Sequence, residues 1–227
     1  MTKQLFITAT GTDIGKTYIS ALLVKKMIEY EFNCGYYKPV LSGAIRIGDV
    51  IIPGDCKYVT DISGLNIKPT ECLSYCFEEA VSPHLAAQRT GTNISIDKIL
   101  NDYNNLSKRY DYVLIEGAGG ITCPIISTEN KVYLMSDLIK DLKVNVIIVA
   151  DGGLGTINSV LTTVEYAKAR GINIEGIILN KYDKTDFMHK DNLKMVEKLT
   201  GIKVIATIAK DDKDIDISKQ ILEGLFN

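Results

Sequence analysis

Lys16 lies between Gly15 and Thr17, and the three follow a short strand-like run, Leu5-Phe6-Ile7. Behind them come Ile19, Leu22, Leu23, Met27 and Ile28, spaced as one buried face of a helix. A glycine-containing turn that opens a helix points successive backbone N–H groups outward, which is a cradle for phosphate oxygens. In that setting Lys16 would place a point charge on β- and γ-phosphates, and the Thr17 hydroxyl would coordinate Mg²⁺. Five positions before Gly15, where such loops commonly have glycine, stands Thr10, so the neighbouring Gly11 is expected to make the tight turn.

Two carboxylates bear on a magnesium site. Glu116 ends the apolar run Asp111–Ile115 and precedes Gly117-Ala118-Gly119-Gly120, small residues that let phosphate or substrate approach the backbone. Asp55 follows Gly54, and its own surroundings favour a turn residue or helix cap over a metal ligand. Mg²⁺ takes a few oxygen ligands and completes its shell with water and phosphate, so Thr17, Glu116 and Asp55 would suffice.

Other strand ends carry further candidates. Lys38, next to Pro39 at the end of Cys34–Tyr37, would face the same crevice and stabilise charge on a group in transfer. Asn180-Lys181-Tyr182-Asp183 fits Asn-Lys-x-Asp, a guanine-reading pattern, yet an Asn at a strand end hydrogen-bonds adenine as well. Adenine is the favoured base, because the acidic strand end here is Glu116-Gly117-Ala118-Gly119 and not the Asp-x-x-Gly of a switch. Gly152–Asn158 precedes an amphipathic helix and reads either as a carboxylate-binding helix N-terminus or as a flexible, well-capped loop. His84 and His189 read as structural or surface residues.

The elements that must position these residues alternate. Strand runs at Leu5–Ile7, Cys34–Tyr37, Asp111–Ile115, Val144–Val149, Ile177–Leu179 and Val204–Ala206 are separated by helical periodicity. Continuous rather than alternating apolar strands mean that both faces are covered, and strand–helix alternation makes a parallel α/β sheet. Ligands gather beyond the carboxyl ends of such strands, where the polar and glycine-rich segments of this chain fall. Between residues 43 and 110 the pattern is less regular. Ile51–Gly54 is expected to turn, Asp55 to open a helix ending at Gly64, Ser82-Pro83 to start one stopping at Gly91, and Ser95 to cap another.

With 227 residues, 46% of them hydrophobic, a sizeable core in a single domain over residues 1–227 is expected. A net charge of −2 without basic runs argues against nucleic acid and against a polybasic membrane anchor. Apolar stretches of about six residues are far short of the roughly 20 that span a bilayer. Five irregularly spaced cysteines argue against a disulfide framework or zinc site, and a cytoplasmic protein with reduced thiols is expected.

Six segments together resemble the dethiobiotin synthetase family. They are Thr12–Thr17, Tyr37-Lys38-Pro39-Val40 with Ser42-Gly43, Ser82-Pro83-His84, Glu116–Gly120, Leu154–Asn158 and Asn180, in the family's order over nearly the whole chain. The resemblance implies a P-loop NTPase type of fold and a reaction of MgATP, CO₂ or bicarbonate and 7,8-diaminopelargonate that yields dethiobiotin, ADP and phosphate. It assigns Lys16 to the phosphates, Lys38 to the carbamate and the transferring group, and Thr12 and Ser42 to the substrate pocket. Thr17, Asp55 and Glu116 become Mg²⁺ ligands, which takes Asp55 out of its bland reading. Asn180 reads the base, and Asp13, Ile14, Gly15, Tyr18, Gly117, Ala118, Gly119, Ala209 and Lys210 complete the nucleotide contacts. The family is a homodimer in which the substrate's carboxylate tail reaches the partner subunit, and Gly153, Leu154, Gly155, Thr156 and Asn158 resemble that cap. Departures are Ala9 for a usual Gly, Gly11 for a frequent Asp and Ala209 for a common Pro. The other readings are a regulatory or partitioning ATPase of the deviant P-loop branch, which would carry an additional Lys where Thr10, Gly11 and Thr12 stand, and a GTPase switch.

Overall fold

Alternation along the first strand decides how the layers form. In β1 (Lys3–Ala9), Leu5, Ile7 and Ala9 pack to one side and Phe6 to the other, and all four are fully buried. Both faces of the strand therefore need a cover. The computed structural model of the chain describes residues 2–227.

After β1 come α1 (Lys16–Glu29), β2 (Cys34–Ser42), a small antiparallel hairpin of β3 (Ile45–Ile47) and β4 (Val50–Ile52), and α2 (Gly54–Ser63). Then follow β5 (Leu73–Phe77), α3 (Pro83–Thr90), α4 (Ile96–Ser107) and β6 (Tyr112–Glu116). A second hairpin, β7 (Pro124–Ser127) with β8 (Val132–Leu134), leads to α5 (Met135–Leu142). The last stretch is β9 (Val146–Asp151), α6 (Thr156–Ala169), β10 (Ile174–Asn180), α7 (Phe187–Thr200), β11 (Val204–Thr207) and α8 (Lys219–Gly224).

Seven strands form one parallel sheet in the order β11-β10-β9-β1-β6-β2-β5. Helices α1, α2 and α8 cover one face through Ile19, Leu22, Cys56, Val59 and Leu222. On the opposite face, α3, α4 and α5 bury Ala86, Ile99, Tyr103 and Leu138. Val160, Val164 and Val196 from α6 and α7 close over Ile148, Ile177 and Leu179. This is the parallel α/β sheet, covered on both faces, that the strand runs predicted.

One local expectation needs correction. Ile51-Ile52 is not a turn but part of β4, paired with Ile45 and Arg46 across the hairpin. The strand β5 was not anticipated at all, because its half-buried residues at the sheet edge lack the continuous apolar run of the inner strands. Helix α2 does end at Gly64 and α3 at Gly91, and Ser95 caps α4 by accepting from the Lys98 N–H at 3.2 Å. Ser82 precedes Pro83 at the start of α3, although its side chain caps nothing. All five cysteines are free thiols, and no described helix is long and apolar enough to cross a membrane.

Candidate active site

The loop after β1 gets its shape from Asp13 (φ 58°) and Gly15 (φ 103°), both in the left-handed region. Gly11, expected to make the tight turn, has no positive φ, so the turn sits two to four residues later. Gly15 is the cap of α1, which leaves the first N–H groups of that helix open toward the loop. A Cβ on Gly15 would lie 2.2 Å from Asn180 Nδ2, and Asn180 Nδ2 donates to the Ile14 carbonyl at 2.8 Å. Asn180, at the end of β10, thus holds the loop from outside. We expect Gly15→Ala to strain the backbone by roughly 1–3 kcal/mol and to break this bond. Thermal melts and ATP titration would show lowered stability with weakened nucleotide binding, and a variant that melts and binds like the parent would contradict the assignment.

Strand register brings the charged groups together. Ile7 is level with Glu116, and Tyr37 is level with Ile115, so Lys38 comes beside Glu116 one residue further on. Glu116 is completely buried. Its Oε1 accepts from Lys38 Nζ at 2.7 Å and from Thr17 Oγ1 at 2.7 Å, and its Oε2 accepts from Tyr36 at 2.8 Å. Lys38 Nζ also lies 2.5 Å from Asp55 Oδ2, which the first turn of α2 presents. Burial alone would raise the Glu116 pKa, but Lys38 and the three hydrogen bonds outweigh it and hold the carboxyl below its ordinary range.

Lys16 has no such partner. It is buried, its Nζ reaches only the Gly11 carbonyl at 3.3 Å, and among the described residues it forms no ion pair. Burial, then the nearby Lys38, push its pKa down. Such an ammonium would pair with an anion bound at the loop.

These groups line a cleft of about 780 Å³, in the size range of small-molecule sites. Thr12, Asp13, Gly15, Lys16, Thr17, Tyr18, Lys38, Ser42, Asp55, Glu116, Ala118 and Gly119 all reach it. Ser42 Oγ is buried there with no hydrogen-bond partner. Ile14, Gly117 and Asn180 stand behind the wall: Ile14 bonds Asn180, and Gly117 packs on Phe6. Gly153, Leu154, Gly155, Thr156 and Asn158 are not brought to the cleft, nor are Ala209 and Lys210. The Gly153 turn is held instead by Asp151 and by Asn192, and the Ala209 N–H donates to Asp212. His189 accepts from the Asp183 N–H, as a structural histidine would.

Sequence reasoning missed Tyr36, which fixes Glu116. The signal was available, since Tyr36 is two residues before Lys38 on one strand and side chains alternate with period two. It also missed Cys123, which lines the cleft beside Gly119, and the Ala80 and Val81 part of the wall that continues into Ser82 and Pro83.

No group of three or more His, Cys, Asp and Glu side chains that could hold a metal occurs among the described residues. A hydroxyl and two carboxylates around one cation is a different donor set. It suits a hard ion that takes oxygen ligands and fills its shell with phosphate and water, so the residues fit Mg²⁺.

Comparison with known proteins agrees with this architecture. The sequence model of a family described as an AAA domain matches residues 3–215. Curated relatives named "ATP-dependent dethiobiotin synthetase BioD" from two Clostridium botulinum strains are 47% identical, over 100% of this chain and 99% of theirs. The Clostridium perfringens relative of that name is 44% identical, over 99% of this chain and 100% of its own. The chain belongs to the dethiobiotin synthetase family. Beyond it, the fold is shared with a ParA family ATPase from Chlorobium tepidum (15% identity, TM-score 0.56, 93% of this chain and 86% of that one). It is shared also with FtsY from Mycoplasma mycoides (18% identity, TM-score 0.52, 98% of this chain and 66% of that one). Those likenesses reach the fold alone, whereas the dethiobiotin synthetase family is matched along the whole chain.

Proposed function

We propose that this chain is an ATP-dependent ligase that closes the ureido ring of dethiobiotin from 7,8-diaminopelargonate and CO₂, as a single domain over residues 1–227. The observation that carries the reading is the convergence of Lys16, Lys38, Thr17 and Glu116 on one cleft. One amine of the substrate attacks CO₂, forming an N–C bond and losing a proton, to give a carbamate. A carbamate oxygen then attacks the γ-phosphorus of ATP, ADP leaves, and a carbamic–phosphoric anhydride forms. The second amine attacks its carbonyl carbon, expels phosphate and closes the ring.

That chemistry asks the protein for position and charge rather than for a nucleophile. Lys16 and the N-terminus of α1 hold the phosphate oxygens. Thr12 and Ser42 line the diamine and carbamate pocket, where the unpartnered Ser42 hydroxyl is ready for a polar substrate atom. Thr17, Asp55 and Glu116 would hold Mg²⁺, which supplies charge neutralisation on the phosphates when bound. Asn180 gives one Nδ2 N–H to Ile14 and keeps its second N–H and its Oδ1, a donor and an acceptor that match the ring nitrogen and amino group of adenine.

Phosphate release should require the diamine and bicarbonate and should be slower with GTP than with ATP. Release indifferent to the diamine would leave only an NTPase of another purpose.

The working unit in this reading is a homodimer, with the partner capping the substrate's carboxylate tail. In support, the Gly152–Gly155 turn carries Leu154, 92% exposed, and is tied through Asn192 to α7, whose first residue Phe187 is 85% exposed. Large apolar side chains this exposed are what an interface covers. Sedimentation velocity should find a dimer, and a fully active monomer would refute it.

A further inference from the structure

The side chains read above as metal ligands surround an ammonium group. Lys38 Nζ contacts both Glu116 Oε1 (2.7 Å) and Asp55 Oδ2 (2.5 Å), and Thr17 Oγ1 meets the same Glu116 oxygen at 2.7 Å. Lys38 is buried along with Glu116, and Tyr36 fixes the other carboxylate oxygen, so the arrangement is enclosed and oriented.

We propose that Lys38 is the resident counter-ion of the divalent-cation site, and that arrival of metal with nucleotide moves its ammonium off Glu116 and Asp55 into the cleft. The inference rests on the reading of Thr17, Asp55 and Glu116 as the ligands of that cation. Glu116 is wholly buried and needs a positive partner whenever the metal is away, and the half-exposed Asp55 adds to the negative charge beside it. A dication on these carboxylates would stand within a few ångströms of the Lys38 ammonium and beside the buried Lys16, and that repulsion drives the ammonium away. The lysine's stem is flexible enough to yield. Its backbone is not, since β2 is paired on both sides, to β5 and β6. The cleft is the open space Lys38 borders, and in the proposed reaction it receives the transferring group. The ammonium is thereby withheld from the reacting group until the metal nucleotide is seated, which couples loading of the site to its chemistry.

Mn²⁺ binding followed by electron paramagnetic resonance tests this on the full chain. Without nucleotide, Lys38→Met should bind Mn²⁺ about tenfold or more tightly than the parent, whereas Lys38→Arg, which keeps the charge, should bind it as weakly as the parent. Equal or weaker binding by Lys38→Met overturns the proposal. Should Lys38→Met fail to fold, ¹⁵N-lysine NMR of the parent decides. The Lys38 ammonium resonance should shift when Mg²⁺ and a non-hydrolysable ATP analogue are added together, and stay in place with the analogue alone. An unchanged resonance in a protein that demonstrably binds Mn²⁺ with the analogue overturns this inference alone. Failure of Mn²⁺ to bind even with the analogue overturns the ligand reading as well.

Discussion

Lys16→Ala should lower diamine-dependent ADP formation by about 10³-fold, the upper range for losing one preorganised group that stabilises transition-state charge. The same variant should melt no lower than the parent. Both halves follow from the setting of the side chain. Lys16 is buried without a carboxylate partner, touching only the Gly11 carbonyl, and its pKa is depressed first by burial and then by Lys38. Removing such a charge relieves the folded protein while depriving the phosphates of their cation. ADP assay and calorimetry on one preparation would check the pair. Loss of activity accompanied by a large drop in melting temperature would mean that Lys16 is structural, and near-normal activity would remove it from the phosphate site.

Glu116→Ala should show the opposite balance, with stability suffering as much as activity. The substitution leaves Lys38 buried with only the half-exposed Asp55, and it strips Tyr36 and Thr17 of their acceptor. Breaking a buried pair from one side costs about 3–5 kcal/mol, or roughly 10 °C in melting temperature for a domain of this size. Asp55→Asn, on the solvent side of the same ammonium, should cost much less. The pH dependence has a definite sign. The Glu116 carboxyl is held below its ordinary range, so its contribution is present above the unfolded carboxylate value, near about 4.3, and is lost as pH falls through the lower folded value. The stability gap between the parent and Glu116→Gln should therefore be widest at neutral pH and narrow in acid. A gap that is constant with pH would contradict the ionised, paired state of Glu116.

What could be read from the sequence was set by local chain geometry. A β-branched run, a Gly-Lys-Thr turn and an amphipathic helix occupy consecutive residues, so the loop of Lys16 and Thr17 could be placed without knowing what lay across the sheet. Glu116 was legible for the same reason, at the end of Tyr112–Glu116. Asp55 was not, because its neighbours describe only the first turn of a helix, and its meaning comes from Lys38 on another strand. The hold of Asn180 on Ile14 joins residues 166 positions apart and leaves no local trace. Edge strand β5 escaped because an outer strand needs no two-faced apolar run. The Gly153–Asn158 and Ala209-Lys210 segments have the composition of strand-end loops, and composition gives the type of loop without the cleft it serves.

In the proposed reaction this cleft brings a carbamate oxygen onto the γ-phosphate of ATP. The most direct measurement is single-turnover reaction with ¹⁸O-labelled CO₂ and the diamine, followed by mass analysis of the phosphate released. Attack by the carbamate, then expulsion of phosphate by the second amine with cleavage of the C–O bond, leaves one labelled oxygen on each phosphate and an equal amount of dethiobiotin. Phosphate that carries no label, with its new oxygen drawn from water, would contradict it.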